Sequence, residues 1–158
     1  MRTKKAPKRK IINDFVYDSP LVAKIINSCM YDGKKTIAQK HVYDALQIIK
    51  EKTKKDELQI LTEAMENISP QMEVRSRRVG GASYQVPMSI RSERKQALAI
   101  RWLVQAARQK SNSEFHTFAE KLAAEILDAH NNQGVTIKKK LDTQKMAEAN
   151  RAFAHFRW

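Results

Sequence analysis

A chain of 158 residues, 42% hydrophobic and 30% charged, is long enough to bury one core and too apolar to be disordered throughout. Its 30 Lys and Arg against 17 Asp and Glu give a formal charge of +13, which self-repels unless a polyanion neutralises it, nucleic acid before an acidic membrane surface. Cys29 is alone, which excludes an intramolecular disulfide, and neither a signal core nor an apolar run of the roughly 20 residues that span a bilayer is present.

Residues 1–18 read as a basic extension, with Arg2, Lys4, Lys5, Lys8, Arg9 and Lys10 at its start. Ser19-Pro20 then opens a helix, a hydroxyl at the N-cap followed by proline at the first helical position. Val22, Ile25, Ile26, Cys29 and Met30 share one face of it, and Asp32-Gly33 stops it. Thr36 with Gln39 reads as a capping box for a second helix, whose apolar face is Ile37, Val42, Ala45, Leu46 and Ile49. Asp56 with Gln59 opens a third, carrying Leu58, Leu61, Ala64, Met65 and Ile68. Ser69-Pro70 ends it, because the residue before proline resists the helical region.

The period then changes from helical to alternating. Met72 to Val79 and Ala82 to Ser89 are rich in strand formers and flank Gly80-Gly81, which tolerate the positive φ of a tight hairpin. A two-residue turn sets Arg77 opposite Tyr84, Arg75 opposite Val86 and Arg78 opposite Ser83. Both surfaces of the ribbon thus carry arginine towards the tip. An isolated hairpin is only marginally stable in water, so an arm over 72–89 that its partner orders is expected.

Residues 92–110 form the least polar helix, placed centrally, with a polar stripe of Arg94, Arg101 and Arg108. Phe115, Phe118, Ala119, Leu122, Ala123, Ile126 and Leu127 mark the face of the next helix, its aromatics packing in the core. A weaker helix over 136–150 and a tail over 150–158, alternating aromatic and basic groups, complete the chain. The expected fold is mainly α: one domain of about six helices, with a protruding two-stranded hairpin and basic terminal extensions.

Charge is focused along this plan. Residues 1–10 hold six bases and no acid, while 71–95 and 133–158 each hold six bases against two acids. The remaining segments hold twelve bases and thirteen acids, so a neutral helical body presents a few positive elements. Lys138-Lys139-Lys140 could contact successive phosphates or form a solvated face. Arginine on the hairpin suits phosphate because its planar fork binds two oxygens, and Tyr84 beside Arg77 adds a stacking plane. His155, Phe156 and Trp158 offer similar planes between Arg151 and Arg157, unless the tail packs on the protein itself.

Nothing calls for catalysis. His41, His116, His130 and His155 lack metal-ligand spacing, one cysteine cannot build a zinc site, and Gly80-Gly81 precedes no helix that could cradle a nucleotide. The acids are expected on solvated helix faces, with no pair set apart as acid and base. The reading is therefore a binding protein with no cofactor, metal, small-molecule substrate or membrane partner. A DNA-compacting protein and an RNA-processing enzyme are its rivals, the first without a helix-turn-helix or minor-groove wedge, the second without a residue set.

Residues 73–87, EVRSRRVGGASYQVP, resemble the signature hairpin of bacterial small-subunit ribosomal protein seven, and 146–158, MAEANRAFAHFRW, resemble its C-terminal tail. DGKK at 32–35, AIRWL at 99–103 and KKK at 138–140 fall where that family has them, so the likeness covers nearly the whole chain. It implies a six-helix bundle with a β-hairpin, early binding to the 3′ major domain of small-subunit rRNA and nucleation of head assembly. It also implies a cytoplasmic ribosome, or an organellar one. The place implied is near the mRNA exit and the tRNA exit site, with ribosomal protein eleven and other head and platform proteins as neighbours. Carried over by position, Arg2, Lys4, Lys5, Lys8, Arg9, Lys10, Lys34, Lys35, Arg75, Arg77, Arg78, Arg94, Lys95, Lys138, Lys139 and Lys140 would meet rRNA. Arg78, Gly80, Gly81 and Tyr84 at the hairpin tip, with Arg151, His155, Arg157 and Trp158 of the tail, would lie near tRNA. Three features depart from the family: Leu141 where an acid is usual, Phe156 where tyrosine is usual, and an unlike connection over 111–114.

Overall fold

The computed structural model describes residues 11–156. Within them the local start and stop signals give α1 (Pro20–Cys29), α2 (Lys35–Thr53) and α3 (Glu57–Ile68), then the strands β1 (Met72–Val79) and β2 (Ala82–Ser89). Next come α4 (Ser92–Gln109), α5 (Phe118–His130) and α6 (Gly134–Ala149), closed by a 3-10 turn over Arg151–Phe156. The mainly helical single domain with one hairpin is the architecture that the hydrophobic spacing predicts.

Three helix starts show what positions each element. Asp56 caps α3 by accepting from the Leu58 N–H at 3.2 Å, as expected, but Gln59 bonds Glu63 at 2.9 Å instead of reaching back to the cap. The Thr36–Gln39 box does not form. Asp32 and Gly33 both take left-handed φ (48° and 74°), and α2 begins at Lys35, which puts Thr36 already inside the helix. The buried face is set accordingly, with Ala38 inside and Ile37 53% exposed. Phe115 precedes α5; the true start is a capping box in which Thr117 and Glu120 exchange bonds, the Thr117 side chain accepting from the Glu120 N–H at 3.2 Å. That Thr-x-x-Glu signal is visible in the sequence, and the preceding aromatic obscures it.

Leu103 of α4 and Leu122 and Ile126 of α5 are fully buried in one cluster with Ile25, Leu46, Ile49, Leu61 and Ile68 from the first three helices. The centre is shared: α4 packs on α1, α3, α5 and α6, and α5 packs on α2, α3, α4 and α6. Phe118 packs only at the core's edge, and Phe115 lies under the Lys110 ammonium at 5.5 Å from its ring centre. Not all acids lie on solvated faces, contrary to expectation. Asp14, Glu57, Glu73 and Glu125 are buried, each with partners: Asp14 accepts from the Tyr43 hydroxyl at 2.7 Å, and Glu57 pairs with Lys50 at 3.4 Å.

The helix α6 buries few apolar side chains, leaving Leu141 and Met146 exposed, so polar anchors hold it. Glu125, wholly buried on α5, accepts from the Thr136 N–H at 3.0 Å and from its hydroxyl. Gly134, at φ +93°, makes this approach possible, because a Cβ there would come within 3.0 Å of the Asp128 Cβ.

The hairpin has the expected register, with Arg75 opposite Val86, Arg77 opposite Tyr84 and Arg78 opposite Ser83. Gly80 and Gly81 both have positive φ (57° and 91°), as a twist-matched two-residue turn requires. The arm is not left for a partner to order, however. Val86 is fully buried and Pro87 buried, and the Tyr84 ring lies 5.3 Å from that of Phe153 and 5.0 Å from that of Phe156. The chain's own tail therefore braces the ribbon at Tyr84, three residues past the turn, while Val86 and Pro87 seat its base in the body. Replacing Phe153 and Phe156 together by alanine removes two ring contacts worth about 0.5–1.5 kcal/mol each beyond their area. Amide exchange in β1 and β2 is expected to accelerate by about tenfold or more while α5 stays protected. Equal acceleration in both would show that the tail has no bracing role.

Candidate nucleic-acid interface

Along α4 the exposed residues Arg94, Ala97, Arg101, Gln105 and Arg108 follow helical spacing and form one stripe. No Asp or Glu occurs between Arg94 and Arg108. Neighbouring helices extend the stripe at its far end and along its side, and the hairpin base extends it at the near end.

Beside its middle, Lys139 of α6 donates to Gln105 Oε1 at 3.1 Å and lies 6.0 Å from the Trp102 ring centre. Lys138, next to it, is exposed. Lys140 differs: it donates to the Asn67 carbonyl at 2.6 Å, placing its charge on the last turn of α3. The lysine triplet thus divides into two surface cations and one structural one.

At the far end of α4, the Arg108 guanidinium sits 4.1 Å above the Tyr31 ring centre and donates to the Cys29 carbonyl at 3.2 Å. Both side chains line an apolar groove with Lys34, Ile37, His41 and Phe118. Lys35 is exposed beside it at the start of α2. Cys29 forms part of the groove floor and is 7% exposed. Burial pushes its thiol up to about 12, against a weaker downward pull from Arg108.

At the near end, Arg75, Arg91 and Arg94 line a cleft with Met88 and Ser89 at the base of the hairpin. Glu73, 8% exposed, accepts from Arg75 Nε at 2.6 Å and from Arg94 Nε at 3.1 Å. Burial by itself would raise the Glu73 carboxyl, but the hydrogen bonds and charges of the two arginines outweigh it and hold the group below its ordinary range.

Other predicted residues lie elsewhere. Lys95 lines a separate hollow with Leu21, Glu66 and Glu93. Arg77 is half-buried opposite Tyr84, and Arg78, Gly80 and Gly81 are exposed at the tip. Arg151 is exposed next to Met72 and Pro87, and His155 is exposed with Nδ1 2.9 Å from the Ala152 carbonyl oxygen. Arg2, Lys4, Lys5, Lys8, Arg9, Lys10, Arg157 and Trp158 lie outside the described residues. Sequence reasoning saw the stripe on α4 but took only Arg94 from it as a site residue. Arg91, Arg101 and Arg108 are the cations it passed over; for Arg101 and Arg108 the signal was their spacing of seven from Arg94, and for Arg91 its place at the N-cap of α4. Among the described residues, no helix is long and apolar enough to cross a membrane.

A helix face bearing three arginines, with Lys139 on its flank and a cation-lined hollow at each end, suits a folded polyanion. Comparison with known proteins agrees. The family described as Ribosomal protein S7p/S5e matches residues 1–151. The chain is 58% identical over 158 residues to the small ribosomal subunit protein uS7 of Thermotoga neapolitana, covering all of both chains. It is 56% identical over 152 residues to that of Caldanaerobacter subterraneus, covering 96% of each, and 51% identical to that of Nautilia profundicola over the full length of both. With such identity along its whole length, the chain belongs to the S7p/S5e family of ribosomal proteins.

Proposed function

We propose that this protein is a structural constituent of the small ribosomal subunit, that it binds the 3′ major domain of small-subunit rRNA, and that it nucleates assembly of the head. The observation that carries the reading is the acid-free stripe on α4, joined by Lys139 on its flank and by Arg75 and Arg91 at the hairpin base. The helical body fixes these cations relative to one another, so that binding releases counterions from RNA at little cost in side-chain order. The family is one of ribosomal proteins, not of enzymes, and the chemistry asked of these residues is contact alone. In this reading the N-terminal bases Arg2, Lys4, Lys5, Lys8, Arg9 and Lys10 would add further phosphate contacts. The hairpin tip at Arg78, Gly80 and Gly81 would face exit-site tRNA near the mRNA exit. Tyr84, covered by Phe153 and Phe156, would support the arm more than it stacks on a base. Arg151, His155, Arg157 and Trp158 would lie on the same side, and ribosomal protein eleven would be a neighbour.

Tagged protein expressed in a bacterial cell is expected to co-sediment with small subunits through a stringent wash. In vitro it should prefer a transcript of the 3′ major domain to duplex DNA of equal length. Equal affinity for the duplex, with the tag absent from the small-subunit fraction, would overturn the proposal in favour of general nucleic-acid compaction.

A further inference from the structure

We infer that the cleft at the hairpin base is a clamp for one RNA backbone phosphate, in which Glu73 is a positioning residue that fixes the Arg75 and Arg94 guanidiniums and leaves the Arg94 fork open to the ligand. The inference deepens the RNA-binding reading above and rests on it.

Three guanidinium groups, from Arg75, Arg91 and Arg94, line this one cleft with Ser89. Unscreened, they would repel each other and spread apart. Glu73 counters this from beneath, buried at the root of β1. It takes Arg75 through Nε at 2.6 Å and Nη2 at 2.5 Å. It takes Arg94 through Nε alone, at 3.1 and 3.3 Å to its two oxygens. Engaging a guanidinium through Nε fixes the plane of the group and leaves its terminal nitrogens for a second acceptor. No partner among the described residues takes either Nη of Arg94, and the Arg91 guanidinium also has none there.

The charges suit the ligand. Three guanidiniums over one carboxylate leave the cluster with two positive charges, more than a phosphodiester neutralises. The two Nη donors of Arg94 match two phosphate oxygens, and Arg91 and the Ser89 hydroxyl are within the same cleft for further bonds. A carboxylate so close to an anion site repels the anion directly. Its presence helps binding only if the order it gives to Arg75 and Arg94 outweighs that repulsion.

This opposition makes a test. If Glu73 acts only through its charge, Glu73→Gln raises the net charge and tightens RNA binding. If it positions the forks, Glu73→Gln weakens binding to the 3′ major domain transcript by about fivefold or more, although a negative charge has been removed. Arg94→Lys, which keeps the charge and loses the fork, is expected to weaken it similarly. Both variants are measured by filter binding at fixed ionic strength, with thermal melting to verify the fold. Unchanged or tighter binding by folded Glu73→Gln overturns the proposal; if that variant does not fold, unchanged binding by Arg94→Lys does so. Saturable displacement of the transcript by inorganic phosphate, at constant ionic strength, would reassign the cleft to the free anion and also overturn it. Wild-type protein that fails to bind the transcript removes the RNA reading itself, a result distinct from loss of the clamp alone.

Discussion

Raising monovalent salt from about 50 to 200 mM is expected to weaken binding to the 3′ major domain transcript by roughly three to five orders of magnitude, the fall seen when six to ten phosphates are neutralised. Eight exposed cations support a count of that size: Lys34, Lys35, Arg78, Arg91, Arg94, Arg101, Lys138 and Lys139. The slope of log affinity against log salt should be linear, and each surface contact removed should flatten it. Arg101→Ala, in the middle of the stripe, is expected to reduce the slope by about 1. Lys140→Ala makes the opposite control. Its ammonium is engaged with the Asn67 carbonyl, so its loss should lower the melting temperature and leave the salt slope nearly unchanged. A wild-type slope close to zero would falsify the idea that these cations grip phosphate.

The largest loss of stability is expected from a residue far from any ligand. Glu125 is wholly buried, and its Oε2 faces the Lys110 ammonium at 3.2 Å while Oε1 accepts from Thr136. Glu125→Ala leaves the Thr136 N–H and hydroxyl unsatisfied and deprives Lys110 of one of its two carboxylates. Breaking a buried pair from one side costs about 3–5 kcal/mol. Lys110 keeps Asp128 at 2.7 Å, so about 3 kcal/mol is expected, or a fall of roughly 6–12 °C in the melting temperature of a chain this size. Asp128→Ala, which removes a 42% exposed partner, should cost under about 1 kcal/mol. If the two variants melted together, the buried contact would be worth no more than the surface one. Because Thr136 lies two residues before Lys138, the Glu125 variant should also weaken RNA binding by loosening the start of α6.

The register of the hairpin was legible because alternating strand formers around two glycines admit one pairing, and Arg77 opposite Tyr84 follows from it. The helices were legible wherever apolar residues recur at helical spacing, as in α5. Errors arose where several signals compete. At the start of α2, two left-handed residues start the helix two positions earlier than the Thr36 box would, and Ile37 faces outwards. The buried acids were not legible, since Glu125 and Thr136 are on different elements and no local pattern announces their meeting. The tail posed the same problem. Phe153 and Phe156 are three apart and share one side of the 3-10 turn, but their spacing does not name what that side covers, so only the three-dimensional arrangement shows that it is Tyr84. The candidate interface was half legible. The spacing of Arg94, Arg101 and Arg108 is written in the sequence, but their union with Lys139 and with the cleft under Glu73 depends on how α4 meets α6 and the hairpin.

The position of Cys29 has a practical outcome for spectroscopy. Burial pushes its thiol far above the ordinary range, so very little of it is the reactive thiolate at pH 7, and at 7% exposure little of the side chain meets reagents. A maleimide dye or spin label therefore discriminates sharply in favour of any second cysteine placed on the surface. Ser83→Cys at the arm's tip would accept a single probe in the otherwise native chain, ready for distance measurements to a labelled transcript.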